Sequence, residues 1–85
     1  MAYTVRFARD AATQLAKLPK KSREKMLAKI TALADDPRPH GSIKLTDANG
    51  LHRIKSGDYR AVYFIQDAEL IVVVVRVADR KEAYD

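Results

Sequence analysis

A chain of 85 residues with a net charge of +5 and a sequence pI near 9.7 has room for one small core and is drawn to anionic partners, nucleic acid foremost. It contains no cysteine, which excludes disulfides, thiolate metal sites and a thiol nucleophile. No apolar run approaches the ~20 residues of a membrane span, and the start carries no signal-peptide pattern. These features predict a cytoplasmic single domain over 1–85 with an open surface site and no enclosed cavity.

"AYTVRF", Ala2 to Phe7, alternates and reads as a first strand. From Ala8 the period changes. Ala8, Ala11, Ala12, Leu15 and Leu18 recur at helical spacing, and Pro19 ends that helix and suits the start of the next. The second helix carries an apolar stripe of Met26, Leu27, Ile30, Leu33 and Ala34, stopped by "DDPRP" at Asp35 to Pro39. His40 to Gly50 is expected as a loop, with Ile43 and Leu45 tucked onto the core. "LHRIKSGDYRAVYFI", Leu51 to Ile65, reads as two strands around a Ser56-Gly57-Asp58 turn, and Gln66 to Glu69 as a further turn. "LIVVVVRV", Leu70 to Val77, is apolar at nearly every position, the mark of a central strand buried on both faces. The order is β-α-α-β-β-β: an α+β domain with a two-helix hairpin on one face of a four-stranded, mainly antiparallel sheet.

Charge divides unevenly. Residues 1–34 hold eight Lys/Arg against Asp10 and Glu24, while residues 35–85 hold eight against nine acids. The helical excess includes Lys20, Lys21, Arg23 and Lys25, a candidate grip on nucleic acid whose bland alternative is a solvated helix start.

Strand alternation sorts the hairpin. Tyr59, Ala61, Tyr63 and Ile65 make the better core face, so Arg60, Val62 and Phe64 face away from the helices, and Arg53 and Lys55 can join them. Clustered cations on one face repel unless an anion lies between them. Phosphate fits that role; ordinary solvated charges are the alternative. Arg80, Lys81 and Tyr84 in the tail could add cations and a stacking ring.

"GLHRIKSGDYRAVYFI" followed by "LIVVVVRVADRKEAY", preceded by "DDPRPHGSIKL", resembles the RelE/ParE toxin superfamily, on its RelE side, over nearly the whole chain. The resemblance implies an mRNA interferase: an endoribonuclease toxin acting in the ribosomal A site. Cutting would need neither metal nor cofactor, because the ribose 2′-OH attacks the adjacent phosphate. It also implies a small, acidic, partly disordered cognate antitoxin, through which alone operator DNA would be engaged, and no membrane partner. In its terms Arg60 grips the scissile phosphate, with Arg53 and Lys55 beside it and Lys55 as general base. Arg80 stabilises the leaving 5′-oxygen, and Tyr84 orients or stacks on the message. The antitoxin would cover Val62, Phe64, Val72 and Val74. His40 reads as a surface residue and His52, on the face opposite Arg53, as structural. Asp79 departs from the pattern beside Arg80. That departure keeps open a catalytically inactive co-repressor or interaction protein, alongside a ParE-like inhibitor of DNA gyrase.

Overall fold

Strand β1 (Thr4–Phe7) opens the computed structural model, which describes residues 2–45 and 50–79. Helices α1 (Arg9–Ala16) and α2 (Lys20–Ala32) follow, then β2 (Ile43–Lys44), β3 (Leu51–Ser56) and β4 (Tyr59–Gln66). A 3-10 turn at Asp67–Glu69 leads into β5 (Ile71–Asp79). The sheet order is β1-β5-β4-β3-β2, with β1 parallel to β5 and every other pairing antiparallel. The architecture is α+β as expected, with five strands and not four. The extra strand is the two-residue β2, where a loop was expected: Ile43 pairs Arg53 and Lys44 pairs His52. Ile43 is consequently 47% exposed and not tucked onto the core.

The two helices are joined by three residues, 17–19. Pro19 occupies the N-cap of α2, where its missing N–H costs nothing, and its carbonyl accepts the first helical bond from the Arg23 N–H at 2.8 Å. The Arg23 guanidinium turns back to the Ala16 carbonyl at the end of α1, at 3.5 Å, and to the Leu18 carbonyl of the connection, at 3.3 Å. It closes a helix end that has no glycine cap.

Ala11 and Leu15 of α1, with Met26, Ile30 and Leu33 at and beyond the middle of α2, pack on Ile54, Ala61, Tyr63, Val72, Val74 and Val77 of the sheet. Each large side chain of this set contributes roughly 1.5–3 kcal/mol by leaving water. The α2 stripe is narrower than its sequence suggests, because Leu27 stays 43% exposed. The Tyr63 hydroxyl donates to the Pro37 carbonyl at 2.8 Å and ties the segment after α2 to the sheet. A second tie fastens the same segment: Arg38 forms a two-pronged bond with Asp67 at 2.8 and 3.2 Å, and Tyr3 OH donates to Asp67 at 2.7 Å. Those contacts pull the Asp67 carboxyl down to about 2, the Arg38 bond contributing most and the Tyr3 bond next.

Candidate functional site

The β3–β4 hairpin turns through Gly57 and Asp58, flanked by the pair Ser56 and Tyr59. Gly57 sits at φ 60, which a side chain would strain, and this gives the tight connection that sets the register. From that register the sheet's two faces can be read row by row, since cross-strand partners point the same way. His52–Tyr63, Ile54–Ala61 and Ser56–Tyr59 point to the helices. Leu51–Phe64, Arg53–Val62 and Lys55–Arg60 point to the opposite, open face. The structure therefore brings Arg53, Lys55 and Arg60 together on that face.

Strand β5 extends each row. Phe64 pairs Val73, which pairs Arg6 of β1, so one end of the open face is an apolar row of Leu51, Phe64 and Val73 with Arg6 at its edge. The next row is Ile43, Arg53, Val62 and Arg76, and the one nearest the turn is Lys55, Arg60 and Ala78. The register shifts between Val62 and Tyr63, so that Val74 opposes Tyr63, Arg76 opposes Val62, and Val75 is the extra residue of a β-bulge. The bulge turns Arg76 outward. Strict alternation from Val72 and Val74, which the structure buries against the helices, would have placed it in the core; the sequence reading gave Arg76 no role.

The same placement corrects the expected apolar patch. Val72 and Val74 are fully buried against the helices and offer no surface to a partner. Val62 does face the open side but is only 9% exposed; Phe64 and Val73 are partly exposed. Arg53 lies deep, at 5%, while Arg60 and Arg76 are half-buried and Lys55 is exposed. The Nε atoms of all three arginines are buried. None of the three is without a partner.

His52 sits on the helix side, stacked on Tyr63 with ring centroids 5.7 Å apart and its Nδ1 2.9 Å from the Gly50 carbonyl. It holds structure and lies on the wrong face to exchange protons with a ligand at Arg60. His40 is exposed and borders a shallow groove of about 330 Å³, shared with Lys29, Pro39, Ile54 and Lys55. Lys29 donates to the Lys55 carbonyl at 2.7 Å, bracing the strand that carries Lys55. Asp79 pairs Tyr59, a position on the helix face and away from Arg60.

Of the helical cations, Lys20, Lys21 and Lys25 are exposed, whereas Arg23 is engaged with the end of α1. Arg80, Lys81 and Tyr84 lie outside the described residues. Among the described residues there is no grouping of three His, Cys, Asp or Glu able to hold a metal. The arrangement can seat phosphate on a row of cations, Lys55 exposed beside Arg60.

A small mixed sheet with two helices on one side and rows of cations on the other defines an α+β protein with a cationic sheet face, and comparison with known proteins specifies it. The family model for the ParE toxin of type II toxin–antitoxin systems (parDE) matches residues 5–84. The curated toxin RelE of Mycobacterium tuberculosis is 32% identical over 83 residues, 96% of this chain and 86% of that protein. The toxin–antitoxin complex RelBE2 from the same organism contains a chain with TM-score 0.82 and 30% identity, covering 96% of this chain and 95% of that one. The intact RelBE toxin–antitoxin complex of Escherichia coli gives TM-score 0.83 at 28% identity, over 99% of this chain and all of that one. The chain belongs to the RelE/ParE toxin superfamily of type II toxin–antitoxin systems.

Proposed function

We propose that this chain is a ribosome-dependent mRNA endoribonuclease of the RelE kind, cutting the message in the A site without a metal. The observation that carries the reading is the registered cluster of Arg53, Lys55 and Arg60 on the sheet face opposite the helices, with His52 turned away from it. Phosphoryl transfer asks mainly for positioning and for charge on the equatorial oxygens, which fixed cations supply. In this reaction the ribose 2′-oxygen attacks the neighbouring phosphorus and the bond to the 5′-oxygen breaks. The products are a 2′,3′-cyclic phosphate and a 5′-hydroxyl. Lys55 takes the 2′-hydroxyl proton, Arg60 holds the phosphate, and Arg53 sets the floor of the site behind it. Arg80 stabilises the departing 5′-oxygen, which takes a proton from solvent water to become the 5′-hydroxyl, and Tyr84 stacks on the message, both roles resting on the tail motif. Lys20, Lys21 and Lys25 then serve as contacts to ribosomal RNA in the cytoplasm.

The two similar toxin chains described above come from toxin–antitoxin complexes. A cognate antitoxin of this chain, small, acidic and partly disordered, would lie on Leu51, Phe64 and Val73, with its carboxylates on the neighbouring cations. It would also carry the toxin to operator DNA.

Primer extension on translated mRNA after induced expression tests the reading. The parent chain should produce A-site cuts that persist in EDTA on intact ribosomes. Arg60→Ala should lose cleavage by a factor of order 10²–10³, the usual cost of removing one preorganised charge donor. A second reading, inhibition of DNA gyrase, is favoured by the parDE description of the matching family model. It would show intact message together with failed supercoiling in the same cells.

A further inference from the structure

Arg76 is a half-buried cation on an interior strand whose Val74 and Val77 are both core. Unbroken alternation from Val74 would turn its side chain into that core. The chain instead interrupts the β4–β5 ladder with a bulge and so sends Arg76 to the open face while returning Val77 to the core. The irregularity is fastened from behind: the Gln14 side-chain oxygen of α1 accepts the Val77 N–H at 2.7 Å. Bulges recur beside functional sites because one inserted residue re-aims the side chain that follows.

We propose that Arg76 is a substrate-binding residue that holds the phosphate one nucleotide away from the scissile one, and that Gln14 is the positioning residue that pins the bulge presenting it. The proposal rests on the reading of the open face as a site for single-stranded RNA. Arg76 and Arg53 flank Val62 in one row, and Arg60 lies two residues along β4 from Val62. That pleat repeat is about 6.6–6.8 Å, on the scale of a single nucleotide step. One RNA strand laid along β4 can therefore place its scissile phosphate on Arg60 and Lys55, over the buried Arg53, and the next phosphate on Arg76. Since these arginines already hold partners in the free chain, the incoming phosphate exchanges with those contacts.

The test uses ribosomes programmed with a message bearing a 2′-methoxy group in the A-site codon, which binds but cannot be cut, and the same ribosomes with ordinary message. Arg76→Gln should raise the concentration for half-maximal binding and for half-maximal cleavage by roughly ten- to a hundredfold, the range for a lost charge-assisted hydrogen bond. The maximal single-turnover rate should change less than threefold. The salt slope should flatten by about 0.7, one phosphate contact to a single strand. Arg76→Lys should recover most of the binding. Gln14→Leu should reproduce the binding defect with Arg76 intact, Gln14→Glu should recover it by keeping the acceptor, and Gln14→Leu with Arg76→Gln should be no worse than Arg76→Gln alone. Parent-like half-saturation and salt slope in Arg76→Gln would overturn the proposal. So would a fall in maximal rate with unchanged half-saturation. Should Arg76→Gln not fold, Arg76→Met keeps the apolar stem, and parent-like binding by it would refute the proposal equally. A parent chain that binds the uncuttable complex but never cleaves the ordinary message defeats the nuclease reading and leaves the Arg76 result standing.

Discussion

Tyr63→Phe isolates one atom that couples the sheet to the chain beyond α2. The ring is fully buried and stacked on His52, and phenylalanine preserves that packing; what disappears is the hydroxyl that donates to the Pro37 carbonyl at 2.8 Å. Pro37 is itself buried, so its carbonyl is left without that donor in a place water does not reach readily. Such an orphaned acceptor costs about 1–3 kcal/mol. For 85 residues, at about 2.1 cal/mol/K of unfolding entropy per residue, each kcal/mol shifts the midpoint by about 5–6 °C. Thermal melts followed by circular dichroism at neutral pH should therefore show Tm lower by roughly 5–18 °C. Cleavage per folded molecule at 25 °C should be unchanged, because Tyr63 points to the helices and Arg60 to the other face. Burial also pushes the Tyr63 hydroxyl above its ordinary value of 10.0. The unfolded chain then ionises first, and the stability this group supplies is complete below pH 10 and lost as pH rises past it. The variant should lose that part of the alkaline fall while Tyr3, raised by its bond to Asp67, retains its own. A Tm within 2 °C of the parent would refute the coupling; loss of cleavage in fully folded variant would refute the division of faces.

The Asp67 carboxyl, held at about 2 by Arg38 and Tyr3, should stabilise the fold fully above the ordinary aspartate value and lose that effect as pH falls from about 4 to about 2. Melts across that window should show a steeper fall for the parent than for Asp67→Asn, and parallel curves would count against the clamp. Val74→Ala should behave as a core truncation, losing about 2–3 kcal/mol from two methylene equivalents plus a cavity, with antitoxin affinity per folded molecule unaltered. Phe64→Asp should do the reverse, weakening antitoxin capture in titration calorimetry with little change in Tm. Charge reversal at Lys20, Lys21 and Lys25 should weaken ribosome sedimentation and flatten its salt dependence; Arg23→Glu should in addition lower Tm, because it uncaps α1. Equal Tm losses in all four would mark the whole run as structural.

Local periodicity was enough to read the hairpin. A strand shows its side chains with a period of two, so the sequence by itself set Arg53 and Lys55 on one face of their strand with His52 on the other, and allowed them to join Arg60; the Lys55–Arg60 register made that so. The apolar run before Ala78 likewise marked the central strand, which β1 and β4 indeed flank. Parity fails where one residue is inserted. The bulge at Val75 resets the alternation of β5, and only the pairing of β5 with β4, held by Gln14 from a helix some sixty residues earlier in the chain, decides that Arg76 faces outward and Val77 inward. An unbroken row of valines could not show in advance which of them were covered, since valine suits either face equally well; the helices chose Val72 and Val74. Strand β2 escaped notice because two residues are too few to display any period, and they become a strand only through the edge of β3 that pairs them. Arg23 looked like one more solvated cation, since its partner carbonyls appear only once α1 and α2 fold back at Pro19. Patterns within a segment are set by bonds a few residues apart, whereas parity, edge pairing and burial are set by contacts between segments, which only the folded chain brings into being.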